Sequence, residues 1–308
     1  MTAPPLGRLP EDRHGDLRRA KRLERWTIGW MASVILIVGT TMQSSQAMRT
    51  AWIEDLLSLV PPIVFLIAAR FEQRAPTPMF PFGYQRVNSL AFLIAAVALT
   101  IVGASLLFEA AMTLIKQERV TIGLVTIFGV QLWAGWLMIA ALAYSILPPV
   151  VLGRMKLPIA RRTYDKVLHT DAMMNKADWQ TGMAGIAGIV GLGFGLWWAD
   201  AAAAGLISLS ILADGVRAVR IATAELVDGA PRALEKDRIA EDALALEAAL
   251  KDHYGAGAVY LRETGRFMRA EITLAPDAEV PQAPPPQPDP NWRLAELAVR
   301  KWNGPDAR

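Results

Sequence analysis

Two stretches of this chain place carboxylates inside otherwise apolar runs. The first, IEDLLSLVPPIVFL at 53–66, carries Glu54 and Asp55, then Ser58 about one turn on, then the pair Pro61 and Pro62. The second, LHTDAMMNKADWQTG at 168–182, carries Asp171, Met174, Asn175, Lys176 and Asp178. Ionisable residues in such segments are functional candidates by default. Oxygen donors on two facing helices can hold a cation. Met174 and Asp178 are four apart and share a helical face, and Asp171 and Asn175 form a second such pair one step round. Lys176 falls between these faces, where it neutralises an acid or reaches toward water. The prolines lack N–H groups, so the carbonyls of Leu57 and Ser58 lose their usual partners. In hydrocarbon a freed carbonyl must find another. Either the acids, the carbonyls and the Ser58 hydroxyl make an oxygen-rich pocket, or the prolines only kink the helix, with Ser58 or water satisfying the carbonyls. His169 sits a turn before the second pattern and reads as a residue of the mouth rather than a ligand. Glu109, Asp200 and Asp214 are further acids in apolar runs.

The elements that must position these residues are membrane spans. Of 308 residues, 53% are hydrophobic and only 20% charged, against about 25% charged in a soluble domain. Several runs exceed the roughly 18 apolar residues that mark a span. An ordinary soluble enzyme, a disordered chain and a fibrous protein are thereby excluded. The net charge of +3 does not point to nucleic acid, because the basic residues gather near span ends. With no Cys and three scattered His, neither a thiolate site nor a three-His zinc site is expected. No nucleophile–base spacing, H-E-x-x-H or phosphate loop suggests an enzyme.

Six spans are predicted, at about 26–44, 49–70, 87–115, 120–147, 165–198 and 200–226, with a proline-containing basic loop (ILPPVVLGRMKLPIARR) between the fourth and fifth. Charge supports this count. One side holds Arg8, Arg13, Arg18, Arg19, Lys21, Arg22 and Arg25, then Arg70, Arg74 and Arg86, then Arg154, Lys156, Arg161, Arg162 and Lys166. The other side holds only Arg49, Lys116 and Arg119. The positive-inside rule puts the rich side, and with an even span number both termini, in the cytoplasm. Glycines every three residues at Gly182, Gly185, Gly188 and Gly191, and the small run Ala201 to Gly205, read as close helix packing. The remaining chain is charged, with a Pro-rich stretch at 281–290. There a helix is expected over 236–252, strands over 258–263 and 267–274 joined at Thr264-Gly265, and a second amphipathic helix over 291–302. Such a unit is small to stand alone, so a homodimer is expected; His253 alone reads as a surface residue. The predicted fold is an all-α six-helix transmembrane bundle with a small C-terminal α+β (αββα) cytoplasmic domain. Residues 1–25 form a basic tail, 26–228 the transmembrane transport domain, and 229–308 the soluble domain.

Four segments in order resemble the cation diffusion facilitators: FPFGYQRVNSLAFLIA at 80–95, DAMMNKAD at 171–178, WADAAAAGLISLSIL at 198–212 and ELVDGAP at 225–231. The resemblance covers roughly 26–275. It implies a six-span divalent-metal/proton antiporter with a ferredoxin-like soluble domain, dimeric in the membrane lipid, with the divalent cation (Zn, Mn or similar) as substrate and no resident cofactor. It also implies ligands four apart on spans 2 and 5. On span 5, Asp178 matches the family ligand and Met174 stands where the family has His. On span 2, one register gives Asp55 with Leu59 and the other Glu54 with Ser58. Asn88 stands where the family usually has Glu. The missing imidazole disfavours zinc, and an acid-and-carbonyl site suits a harder cation such as Mn²⁺ or Mg²⁺, whereas a Met174 thioether would favour a softer one. Together these give Asp178, Asp55, Glu54, Ser58, Met174 and Asp171 as candidate metal residues. The alternative is a non-transporting relative that partners or regulates an active transporter, motivated by the incomplete ligand set.

Overall fold

The computed structural model describes residues 9–41, 55–117, 124–127, 130–196, 198–234, 236–255, 257–281, 285 and 288–301. Among the described residues, six long or moderately long helices make the first part: α1 (Glu11–Thr41), α2 (Val60–Phe71), α3 (Arg86–Lys116), α4 (Ala134–Thr163), α5 (Lys166–Gly193) and α6 (Ala199–Leu226). A short antiparallel hairpin, β1 (Leu124–Ile127) and β2 (Val130–Trp133), separates α3 from α4. Among the described residues, α3 is the helix whose length and apolar composition suffice to cross a membrane.

All six helices contribute to one buried cluster, including Leu23, Phe65, Phe92, Ile159, Leu168 and Ile221. The most extensive helix pair is α3 with α6. Its closeness depends on two glycines. A Cβ on Gly103 would lie 2.7 Å from the Leu212 backbone N, and one on Gly215 would lie 2.8 Å from the backbone of Thr100. The small-residue contact therefore runs from α6 to α3, while on α5 it is Gly182 that meets the Ile146 side chain of α4. We expect Gly103→Ala to destabilise the folded protein by about 1–3 kcal/mol, the usual penalty for overpacking. A thermal melt in detergent checks it, with Gly29→Ala as control, since a Cβ there meets nothing within 4 Å. Equal melting of the two variants would refute the close α3–α6 contact.

Two sequence expectations are corrected in this region. The predicted basic loop after span 4 is helical: α4 runs unbroken to Thr163 with Pro148, Pro149 and Pro158 inside it. The fourth helix therefore begins at Ala134, after the β1–β2 hairpin, rather than at 120. Prolines are tolerated where neighbouring helices support the backbone. The Pro61–Pro62 pair, in contrast, starts a helix. Residues 55–57 are helical, Ser58 and Leu59 form a turn, and the prolines open α2 at its first positions, where a missing N–H is no loss.

The C-terminal part holds α7 (Glu241–Tyr254), β3 (Ala258–Thr264), β4 (Phe267–Leu274), a single 3₁₀ turn at Asn291–Arg293 and β5 (Leu294–Lys301). The sheet order is β3-β4-β5. β3 and β4 form the expected antiparallel hairpin, with Gly265 at φ +63 in its turn. The helix expected over 291–302 is instead β5, which pairs parallel with β4. Among the described residues the domain is thus αβββ in order, not αββα. Its core joins Leu246, Leu250 and Tyr254 of α7 to Met268, Ile272 and Leu294 of the sheet.

The hairpin tip ties this domain to the helices. Gly265 N donates to Ser89 Oγ at 2.9 Å and to Glu225 Oε1 at 3.1 Å. Lys166 Nζ donates to Glu225 at 3.0 Å and also to Glu263. Arg266 reaches both Glu72 oxygens at 2.7 and 2.9 Å and Asp165 at 2.7 Å. Burial works against the Arg266 charge, but the Glu72 and Asp165 carboxylates overcome it and hold the guanidinium above its ordinary pKa. Arg293 then bridges Glu263 at 3.0 Å and Asp242.

Candidate metal site

Three elements meet around Asp178. The turn that precedes α2 brings Ser58, buried at 5% exposure, against α5, where its hydroxyl donates to Asp178 Oδ1 at 3.2 Å. Asp55 lies on the single helical turn before Ser58. It is near enough for its carboxylate and that of Asp178 to interact electrostatically. The break at Pro61–Pro62 serves this arrangement. By ending one helical segment at Leu57 and starting another at Val60, it aims Ser58 at the neighbouring helix rather than along its own.

Met174 is 1% exposed and packs with Ala98, Leu99 and Val102 of α3, Ala177 of α5 and Ile211 of α6, with Leu57 and Val60 at the rim. It walls the site on its apolar side. Asp171 is engaged elsewhere. Lys156 of α4 donates to Asp171 and, at 2.9 Å, to Glu24 of α1. The Asn175 amide donates to Asp171 Oδ2 at 3.1 Å and to its backbone carbonyl at 2.8 Å. These four side chains are buried. The structure thus brings together Asp178, Ser58 and Asp55, sets Met174 beside them, and puts Asp171 in a separate ion-pair cluster. Seven residues of helix, about 10 Å, separate Asp171 from Asp178. Glu54 lies outside the described residues. Among the described residues no three acidic or imidazole side chains gather into a ready-made metal cage.

The Glu24–Lys156–Asp171 cluster was not singled out in the sequence. Lys156 was counted as a loop cation. A signal was present: Pro149, Leu152, Lys156, Ile159, Ala160 and Thr163 fall at helical spacing, and that stripe faces inward. A lysine in the middle of such a stripe is a buried lysine that needs acids. Glu24 was hidden among the seven cations of the N-terminal segment.

The chemistry available at Asp178 is that of an oxygen site for a cation. Two carboxylates supply charge, the Ser58 hydroxyl supplies a neutral oxygen, and no imidazole or thiolate takes part. Comparison with known proteins adds two findings. A family model described as a cation efflux transmembrane domain matches residues 27–227. The manganese efflux system protein MneS of Bacillus subtilis is 25% identical over 199 residues, which cover 65% of this chain and 64% of that protein. The match therefore spans slightly less than two thirds of the relative's length.

Proposed function

Since the chain belongs to the cation efflux family, the cation diffusion facilitators, we propose that it is a membrane transporter that carries a divalent metal cation out of the cytoplasm, with Mn²⁺ the favoured ion. The contact of Ser58 with Asp178, with Asp55 on the adjoining turn, is the observation that carries this reading. It joins the two segments whose acids the sequence singled out. Oxygen donors without imidazole suit Mn²⁺ better than Zn²⁺. The packing of Met174 into an apolar cluster removes the hint toward a soft ion. The name of the related protein points to manganese as well.

In this reading α1 to α6 are six spans with both termini in the cytoplasm, and the unit works as a homodimer. The ion binds between α5 and the segment before α2, then leaves on the far side as helices rock about the site. A carboxylate that has released metal takes up a proton, so exchange of metal for protons needs no further group.

Proteoliposomes containing this chain alone provide the test. They should accumulate Mn²⁺ when a proton gradient is imposed and show little Zn²⁺ movement. Absence of any divalent transport would favour the non-transporting reading. Met174→His is expected to shift preference: an imidazole one turn from Asp178 should raise zinc affinity by about tenfold or more, the scale on which single changes around a metal act. Calorimetric titration of both ions into the purified variant reads this out, and unchanged preference would place Met174 outside the site.

A further inference from the structure

One face of α1 changes character along its length. Arg18, Arg22, Arg25, Gly29 and Leu36 are exposed, and their spacing places them on a single stripe of the helix. Leu36 is 68% exposed and, with α1 read as a span, faces hydrocarbon. Trp26, 69% exposed, adjoins the stripe beside Arg25. The stripe is therefore apolar within the membrane and cationic where α1 leaves it. Its cations have no carboxylate of their own. The other acids of α1 are engaged elsewhere: Asp12 with Arg13 at 3.2 Å, Asp16 with Arg162 at 2.7 Å and Glu24 with Lys156 at 2.9 Å. The nearest acid on the stripe itself, Glu11, lies seven residues beyond Arg18, about 10 Å along the axis. Among the described residues, Arg18, Arg22 and Arg25 thus carry positive charge without an ion pair, on an uncovered face.

We propose that this stripe binds the phosphates of anionic phospholipids in the cytoplasmic leaflet, with Trp26 seated at the headgroup level. The inference rests on the reading of α1 as a span whose basic end is cytoplasmic. Depth supports the assignment. Indole rings are favoured at the membrane boundary, and Trp26 placed there puts Leu36, ten residues on, about 15 Å deeper. That is half of a hydrocarbon core about 30 Å thick. Arg25 and Arg22 then fall within the headgroup layer, roughly 5–8 Å thick. Arg18, one turn further out, reaches back along its own stem. Register supplies a second argument. The three arginines stand in line with the lipid-facing Leu36, so the lipids whose chains cover Leu36 bring their phosphates to the same side of the helix. Guanidinium forks match phosphate oxygens. Cation clusters immediately cytoplasmic of a span attract anionic lipid in this way. A soluble polyanion would satisfy the charges but leave Trp26 and the apolar continuation of the stripe uncovered.

The full chain is purified in mild detergent, stripped of native lipid and titrated with phosphatidylglycerol that carries a fluorescent acyl tail. The wild type should bind it more tightly than phosphatidylcholine with the same tail, and equal binding of the two lipids overturns the proposal. Arg18→Gln, Arg22→Gln and Arg25→Gln combined should weaken phosphatidylglycerol binding about tenfold or more, each cation near the surface being worth roughly fivefold before screening. The same three positions changed to Lys should keep most of the affinity. A control combines Arg238→Gln, Lys251→Gln and Arg300→Gln, which removes as many exposed cations from the C-terminal part, and should bind as the wild type does. Unchanged affinity in the stripe variant, or an equal loss in the control, overturns the proposal. A second arm adds glycerol phosphate or a short DNA duplex as competitor at the lipid's own concentration, and neither should displace the lipid. Displacement by glycerol phosphate overturns the assignment to lipid in favour of a free phosphate, and displacement by DNA overturns it in favour of a soluble polyanion. Neither arm reads transport, so failure here leaves the Mn²⁺ assignment standing, and failure of transport leaves this result readable.

Discussion

Asp178→Asn should reduce metal transport to the level of empty vesicles while the protein still folds. The substitution keeps size and shape. Its side-chain oxygen can still accept from the Ser58 hydroxyl, which in the native protein donates to Asp178 at 3.2 Å. What disappears is the negative charge, and with it most of the attraction for a hard cation that prefers carboxylate oxygen. The same change removes the group able to take a proton when metal leaves. Asp55→Asn should be nearly as severe, because Asp55 is the carboxylate that acts most strongly on Asp178. Glu54→Gln should be mild. Ser58→Ala should be intermediate, since it removes one neutral oxygen and no charge. Mn²⁺ flux into proteoliposomes, normalised to folded protein by gel filtration, decides the order. Normal flux in Asp178→Asn would remove the site from this position altogether.

Lys156→Met is expected to have the largest effect on stability of any single change in the helical part. Lys156 is fully buried and bridges Glu24 and Asp171, which are also buried, at 0% and 1% side-chain exposure. Breaking a buried pair by removing one partner typically costs about 3–5 kcal/mol, because the other charge stays behind without compensation. Here two carboxylates stay behind, and one oxygen of Glu24 already lacks a hydrogen-bond partner. The expected outcome is loss of the monodisperse gel-filtration peak. The control neutralises the whole cluster. Lys156→Met combined with Glu24→Gln and Asp171→Asn should recover most of the folded yield, since replacing a complete buried ion cluster by neutral groups is often neutral in stability. A well-folded Lys156→Met single variant would show that the cluster is wetter than its burial indicates.

The acids at 55 and 178 were readable in the sequence because each interrupts an apolar run, and the Ser58 hydroxyl because it neighbours a proline pair. Their meeting was not readable. Register between two helices depends on packing at Leu57, Val60 and Met174, and nothing local fixes it. The β3–β4 hairpin was readable from strict alternation around Thr264-Gly265. Residues 291–302 were not. LAELAVRK satisfies a helical stripe and a strand alternation about equally, and the choice is made by the free edge of β4, where a parallel partner completes the sheet. Local preference is commonly overridden in this way by pairing. The α4 extension was missed for a different reason. Three prolines and a run of cations are loop signals in water, yet the inward stripe from Pro149 to Thr163 and the support of α1 and α5 keep the helix intact.

The lodging of the β3–β4 turn among the helices also sets an order of assembly. Ser89, Lys166 and Glu225 are synthesised and inserted before Glu263, Gly265 and Arg266 exist. Until the last part of the chain leaves the ribosome, this end of the helix bundle carries Lys166 and Glu225 with only each other, and Asp165 without Arg266. The C-terminal sheet and its helix therefore arrive as a keystone. A chain cut after the sixth helix lacks the piece that closes its own floor, and premature termination near residue 228 yields an unfinished bundle rather than a smaller working one.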